Sequence, residues 1–479
     1  MRVRKINRFA QYLLLFGTLL LLTVSCLLAP VPAAAQAGNN AIYPGSTCCK
    51  PSPAFVDASV FSGTDFCAKV YAAISGQPAG TVIDARAVTP LTCTNTPWWN
   101  GTTSIVTPTT ILLPSGTITI STTWFVPNFT KISGTGSSTV IAAASGFQQP
   151  TGLNYNSNAL IEMGYDYTNA SGQKCSPYGT SPCVCGTASS SGASSDCQSV
   201  QIEHMTVDGT NYSTGNGIYN NASQELSYVN DVTFNNIGGT GLIVGDVNSS
   251  RNPLGPNGGH SGPYTNLLFN AGSNTVSGTA CVEVGTVTWG VHGITCNANG
   301  ENAPAAAIYV NGLNSSIEDV QVDGFVDGIL VGSVSGFPAG NNVIFNVNGA
   351  NSHNVSGLKN VVHISNANAT SDLMSDVAFM GITSSASGVH TVQDDTSTPS
   401  TVITDANLAM YMLGESTVLG SSVNWQSRLT TSLSVPSWGM GPNIPAGACS
   451  SNGRLFSNTS GSLGSTLYAC VNGSWTNIK

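Results

Sequence analysis

Charge is what this sequence has least of. Only 8% of its 479 residues are Asp, Glu, Lys or Arg, against about a quarter in an ordinary soluble domain. Cations are the scarcer sign, with 14 Lys+Arg against 23 Asp+Glu. Four of them, Arg2, Arg4, Lys5 and Arg8, stand at the extreme N-terminus, which leaves 10 Lys+Arg and a net −13 for the rest. So few cations argue against a nucleic-acid or anionic-membrane partner. The chain has no G-x-S-x-G serine elbow. Gly134-Thr-Gly136 opens no helix, so it is not a nucleotide loop. Low charge does not mean disorder here, because 41% of residues are apolar. Gly, Ser, Thr, Asn and Val fill the places left by charge, a mixture that suits short strands and tight turns.

The first 37 residues read as an export signal. The four cations form its basic start, residues 13–28 its apolar run, and Ala35-Gln-Ala37 an A-x-A cleavage site. A single membrane helix is the alternative, but the run is interrupted and followed by Pro30 and Pro32. Thr23-Val-Ser-Cys26 resembles a lipoprotein cleavage box only faintly. Removal of the signal therefore leaves no membrane span and takes Cys26 with it. Twelve of the 13 cysteines remain, an even number in an exported chain, and disulfides are expected. Cys175, Cys183, Cys185 and Cys197 crowd one Ser/Gly-rich stretch, at a spacing that matches no zinc pattern.

Self-similarity organises most of the remainder. His204-Met-Thr-Val-Asp-Gly209, Asp231-Val-Thr-Phe-Asn235, His292-Gly-Ile-Thr-Cys-Asn297, Asp319-Val-Gln-Val-Asp323 and Asp376-Val-Ala-Phe379 share one alternating pattern. A second strand type recurs as Gly241-Leu-Ile-Val-Gly245, Cys281-Val-Glu-Val-Gly285, Ala307-Ile-Tyr-Val-Asn-Gly312, Gly328-Ile-Leu-Val331 and Val389-His-Thr-Val392. His204 to Asp231 and His292 to Asp319 are both 27 residues. Such a period means stacked coils, none of which buries its apolar face alone.

Residues 38–63 read as an extended arm and 64–420 as the coil stack. Residues 421–479 read as a linker and a small C-terminal β unit with turns at Asn452-Gly453 and Asn472-Gly473. A Cys449–Cys470 bridge would staple that unit. Phe66, Val70 and Ile74 form a helical stripe, with Thr64 or Asp65 to cap its start and Gly76 and Pro78 to end it. This helix is expected to cover the open end of the stack.

Ala72-Ala-Ile74, then Gly80-Thr-Val82, Leu113-Pro-Ser-Gly116 and Ile132-Ser-Gly-Thr-Gly-Ser-Ser-Thr-Val-Ile141 follow one another. This order resembles the opening of pectate-lyase-like right-handed parallel β-helix proteins. The resemblance implies an all-β, right-handed parallel β-helix with an N-terminal capping helix. It also implies a polysaccharide as partner, and Ca²⁺ as a possible cofactor with no metal ligands assigned. That fold hosts lyases, hydrolases, epimerases, adhesins and tailspikes, so it does not fix the activity. The polygalacturonase signatures are incomplete: Gln393-Asp-Asp395 supplies a D-D pair, but His292-Gly293 precedes it and R-I-K is missing.

Strand alternation sorts the coil residues. Met205, Val207, Val232, Phe234, Ile294, Cys296, Val320, Val322, Val377 and Phe379 are expected inward. His204, Asp231, Gly293, Asp319 and Asp376 form one outward column, and Asp208, Asn235, Asn297, Asp323 and Met380 another. The Asp-Gly steps at 208–209 and 323–324 suggest that the second column is a left-handed turn ladder. With coils about 4.8 Å apart, acids on neighbouring coils suit acid–base hydrolysis or hold calcium. The candidate catalytic residues are Asp231, Asp319, Asp323, His292 and, as a lyase-type base, Arg251. Trp98, Trp99 and Tyr264 are the candidate sugar-stacking residues, with Trp124 and Trp289 behind them. Cys281 and Cys296 are close enough in one coil to pair. The leading functional expectation is an exported protein that acts on or binds polysaccharide. The competing one is a non-catalytic surface or adhesion protein.

Overall fold

The structure is a computed structural model. It describes residues 54–149, 158–165, 197–220, 223–245, 261–285, 288–299, 304–312, 315–334, 339, 342–351, 357–365, 378–384, 389–395, 410–411, 438–441, 455–458, 467–472 and 474–477. Arg251, Asp376 and Cys449 lie outside them.

Among the described residues the strands form a right-handed parallel β-helix built on two long sheets. One has 15 strands and the other nine, and every pairing in both is parallel. From Gln201 to Asp394 each coil passes once through each sheet. Strands Asn216–Asn220, Thr240–Val244, Ala280–Val284, Ala306–Val310, Asp327–Val331, Asn360–Ile364 and His390–Asp394 stack in the short sheet. Strands Gln201–Asp208, Tyr228–Asn235, Tyr264–Asn270, Val291–Asn297, Ser316–Asp323 and Val343–Ala350 stack in the long one. A strand at Phe55–Asp57, within the stretch read as an arm, pairs with Thr81–Asp84.

The long sheet is bent, and the opening motifs show how. In the first coils its two halves are separate strands. Thr109–Leu112 pairs with Lys131–Ser133, and Gly116–Ile120 with Thr139–Ala143. The Leu-Pro-Ser-Gly and Ser-Gly-Thr-Gly segments are the turns between them. Gly116 has φ of 114°, and Thr139 Oγ1 donates to the Pro114 carbonyl at 2.7 Å. Gln201–Asp208 then spans both halves, pairing first with Lys131–Ser133 and then with Thr139–Ala143. From there on, the turn shrinks to one residue in left-handed conformation. His204, Asp231, Asn266, Gly293, Asp319 and Asn346 have φ between 52° and 68°, and the flanking registers align them as one column.

This corrects the placing of the left-handed ladder. The Asp208–Asp323 column ends the strand instead, and its amides bond along the stack: Asn270 Nδ2 to Asn235 Oδ1 at 3.1 Å, and Asn297 Nδ2 to Asn270 Oδ1 at 3.3 Å. A left-handed residue costs strain for most L side chains, and Asn, Asp and Gly bear it best. The bend column is made almost wholly of these residue types.

The bend also breaks simple alternation. Val229 points inward, Asn230 and Asp231 both point outward, and Val232 and Phe234 point inward again. Met205, Val207, Val232, Phe234, Ile294, Cys296, Val320 and Val322 are all buried, as expected. The coil near residue 380 is in a different register from the one expected. Phe379 stands opposite Ile344, and the bend position opposite Asn346 falls to Gly381.

Across the core, bulky and small columns face each other. A Cβ added to Gly217 or Gly241 would strike the Phe234 ring, and one on Gly349 would meet Val361. Between these levels Cys281 of the short sheet is bridged to Cys296 of the long one, with Cα atoms 6.1 Å apart. Helix Phe66–Ile74, capped by Asp65 Oδ1 on the Ala68 amide, buries Phe66, Val70 and Ile74. A Cys67–Cys93 bridge ties it to the first coils.

The C-terminal residues form a separate four-stranded sheet, Trp438–Gly441, Leu455–Asn458, Leu467–Val471 and Ser474–Asn477. Its last two strands are antiparallel around Asn472, whose φ is 52°. Cys470 is disulfide-bonded.

Candidate functional site

The outward face of the short sheet carries the most chemically organised cluster. Register places Glu283, Tyr309, Leu330, His363 and Gln393 in one column on successive coils. Asp327 opens its strand opposite Asn360, one coil before His363. Asp327 is buried, and its Oδ1 accepts the Asn360 amide at 2.7 Å. Its Oδ2 lies 2.7 Å from His363 Nδ1. The other imidazole nitrogen, Nε2, lies 2.9 Å from Asp395 Oδ2, and Gln393 Nε2 donates to Asp395 Oδ1 at 2.7 Å. One imidazole therefore bridges carboxylates from two different coils, one buried and one 44% exposed.

Environment pushes these groups apart. Burial works against the imidazolium of His363, but the hydrogen bonds and charges of Asp327 and then Asp395 outweigh it, so its pKa is raised. Burial alone would raise Asp395. Gln393 and His363 reverse that and hold its carboxyl below the usual range. Tyr309, next to the cluster, has a raised phenol pKa, chiefly from burial and then from the negative charge of Glu283 and Asp327.

The residues singled out from sequence fall elsewhere. Asp231 and Asp319 both stand on the exposed bend of the long sheet. They are three coils apart in one column, about 14 Å at the usual strand spacing, too far for an acid–base pair. Asp231 bonds His204 Nδ1 at 2.7 Å, and Asp319 accepts Asn346 Nδ2 at 2.6 Å. Asp323 is buried at the strand end, so it is not on this face. His292 is outward, but its partner is Glu318, with Nδ1 3.3 Å from Oε2.

Trp98 and Trp99 are 0% and 7% exposed and Tyr264 is fully buried, which removes all three as sugar platforms. Trp98 packs edge-on against Trp124, which stacks on Phe66 of the helix. The Tyr264 hydroxyl is tied to Ser261 and accepts from Asn220 inside the core, and burial pushes its pKa up to about 12. These rings fill the interior because a narrow coil stack has few other places to bury a large apolar side chain.

Glu203 is held by Lys131 at 2.7 Å and by the Tyr228 hydroxyl at 2.9 Å. Burial would raise its pKa, but these bonds lower it. Among the described residues no three His, Cys, Asp or Glu side chains are grouped to hold a metal ion.

Sequence reasoning missed Asp327 and His363 and saw Asp395 only as half of an Asp-Asp pair. The available signal was a histidine at an outward position inside Val361-Val-His-Ile364. Its carboxylates come from positions 36 and 32 residues away, and register alone brings them together.

No family model matches the chain, and no curated protein does. Among solved structures it is similar to an alginate lyase from Paenibacillus sp. str. FPU-7, at 14% identity and TM-score 0.31, covering 60% of this chain and 92% of that one. It is similar to an endo-xylogalacturonan hydrolase from Aspergillus tubingensis, at 12% identity and TM-score 0.31, covering 74% and 100%. A tailspike protein 2 from Escherichia coli O157:H7 bacteriophage CAB120 matches at 12% and 0.30, covering 70% and 43%. Values this low do not extend to the residues of the cluster.

Proposed function

We propose that this chain is exported by its N-terminal segment, binds a polysaccharide along its stacked face and transfers protons on it through His363 and Asp395. The observation that carries this reading is the imidazole bridged between buried Asp327 and exposed Asp395. Paired groups with pKa values driven in opposite directions are what acid–base chemistry needs. Asp395 stays ionised and suits the base. His363 keeps its proton to a higher pH than a free imidazole and suits the acid, with Asp327 fixing the ring. A polymer of hydroxyl-bearing units matches an outer surface of Asn, Thr, Tyr and Gln repeating at about 4.8 Å. The likeness of the opening segment to pectate-lyase-like proteins points the same way.

The test is digestion of a panel of neutral and acidic polysaccharides, with and without chelator. If the wild type cleaves one, Asp395→Asn and His363→Ala should each lower the rate about 10²-fold or more while the fold is kept. Unchanged rates in both variants would make the cluster structural.

A second reading, a non-catalytic adhesion protein, has one observation in its favour. Both oxygens of Asp327 and of Asp395 already have side-chain partners. A wild type that binds a polymer and leaves every polymer intact would favour it.

A further inference from the structure

Trp98 and Trp124 are fully buried, yet Trp289 is 62% exposed. Its position is fixed by the backbone. Trp289 N donates to the Ser261 carbonyl at 2.8 Å, and Thr288 bridges to Ser261 on the preceding coil. The next residue, Gly290, has φ of 137° and leaves its Cβ side open. The His292 imidazole occupies that space, because a Cβ at 290 would clash with its Nε2. The ring therefore folds back over the backbone beside Trp289. Its Nδ1 faces Glu318 Oε2 at 3.3 Å, and the Ser316 hydroxyl donates to Glu318 Oε1. One coil further, opposite Glu318, stands Phe345, 38% exposed. An exposed indole, an imidazole, a carboxylate and a second aromatic thus follow one another along about 10 Å, two coil spacings.

We infer that Trp289, His292 and Glu318 form a binding subsite for an uncharged sugar residue, on the long sheet and apart from the His363 cluster on the short one. It rests on the polysaccharide reading above and deepens it. A sugar ring offers an apolar C–H face, which fits an exposed indole, and hydroxyls at its rim, which need polar partners. Glu318 accepts from a hydroxyl, and the imidazole, with Nδ1 on Glu318 and its Nε2 edge turned onto Gly290, holds that carboxylate beside the indole. Charge sets the choice of ligand. Glu318 and its neighbour Asp319 stand on this face with no described Lys or Arg bonded to either, which disfavours a uronate.

The test is native electrophoresis of the full chain through gels containing xylan, galactomannan, a mixed-linkage glucan or polygalacturonate. The wild type should be retarded by at least one neutral polymer. Trp289→Ala and Glu318→Gln should each weaken that retardation at least about tenfold in apparent Kd, with the thermal midpoint unchanged. Retardation of both variants equal to wild type would overturn the subsite and leave the proposed function standing. Retardation by polygalacturonate alone would overturn the choice of an uncharged sugar. A wild type retarded by none would overturn the subsite together with the polysaccharide reading.

Discussion

Val322 and Gln321 are neighbours with opposite fates, and exchanging each for Asp measures the register of the stack. Val322 is 0% exposed, paired in register between Cys296 and Gly349, whereas Gln321 is exposed. Val322→Asp forfeits about 1.5–3 kcal/mol of apolar burial. A carboxyl in that position has to be neutral, and keeping it so at pH 7 against an ordinary pKa near 4 costs about 4 kcal/mol. The neutral acid then lacks partners, for about 1–3 kcal/mol more. The total, about 7–10 kcal/mol, rivals the whole stability of a typical domain. Gln321→Asp should stay within about 0.5 kcal/mol. The sign with pH is also fixed. The buried Asp has a folded pKa above its unfolded one, so the damage should shrink as pH falls toward 4. Urea unfolding followed by tryptophan fluorescence at pH 7 and pH 4.5 reads both effects. Equal midpoints for the two variants would mean that the inward and outward assignments after the bend are wrong.

Three further outcomes follow from the structure. Replacing Cys281 and Cys296 together by Ala opens a bridge across the core with a separation of 15 residues, which should cost about 3 kcal/mol; an unchanged thermal midpoint would show that the bridge constrains nothing. His363 has a raised pKa in the folded state, so its stabilising effect is full below about pH 6.5 and is lost as pH rises through the folded value. His363→Gln should flatten the stability profile in that window, and an unaltered slope would refute the double-carboxylate account. Tyr264→Phe strands the Ser261 hydroxyl in the core and leaves the Asn220 amide with the Ser223 carbonyl as its remaining acceptor, at about 1–3 kcal/mol; hydrogen exchange in the neighbouring coils should rise, and no change would mean that water satisfies the Ser261 hydroxyl.

The fold was legible because its signals are local and repeated. The Phe66, Val70, Ile74 stripe, the Leu-Pro-Ser-Gly turn and the inward pairs such as Val232 and Phe234 each need only a short window. The bend was not legible from any single strand. His204 and Asp231 look like ordinary strand starts, whereas Asp323-Gly324 looks like a corner. Only the aligned set, His204, Asp231, Asn266, Gly293, Asp319 and Asn346, shows the preference for residues that bear positive φ. That alignment needs the Tyr264–Asn270 strand, which breaks the 27-residue count. The His363 cluster was hidden for the same reason. Its members lie more than 30 residues apart, at distances set by loop length and not by period. The buried Trp98, Trp99 and Tyr264 show the reverse limit: composition names an aromatic and cannot say which way it faces.

The one-residue bend sets where this chain is free to change length. From His204 to Asp231 is 27 residues, the step across Asn230 and Thr265 is 35, and from Asp319 to Asn346 is 27 again. All of that variation falls at the other corners of the coil, and none at the bend. A residue gained or lost beside the left-handed position would swap inward for outward in half of a strand, and that fault would oppose both neighbouring coils. The bend column thus works as the fixed spine of a modular part, with the loops at the remaining corners as its exchangeable teeth. Grafting a loop from one coil to another there changes what the surface recognises and leaves the phase of every strand as it was.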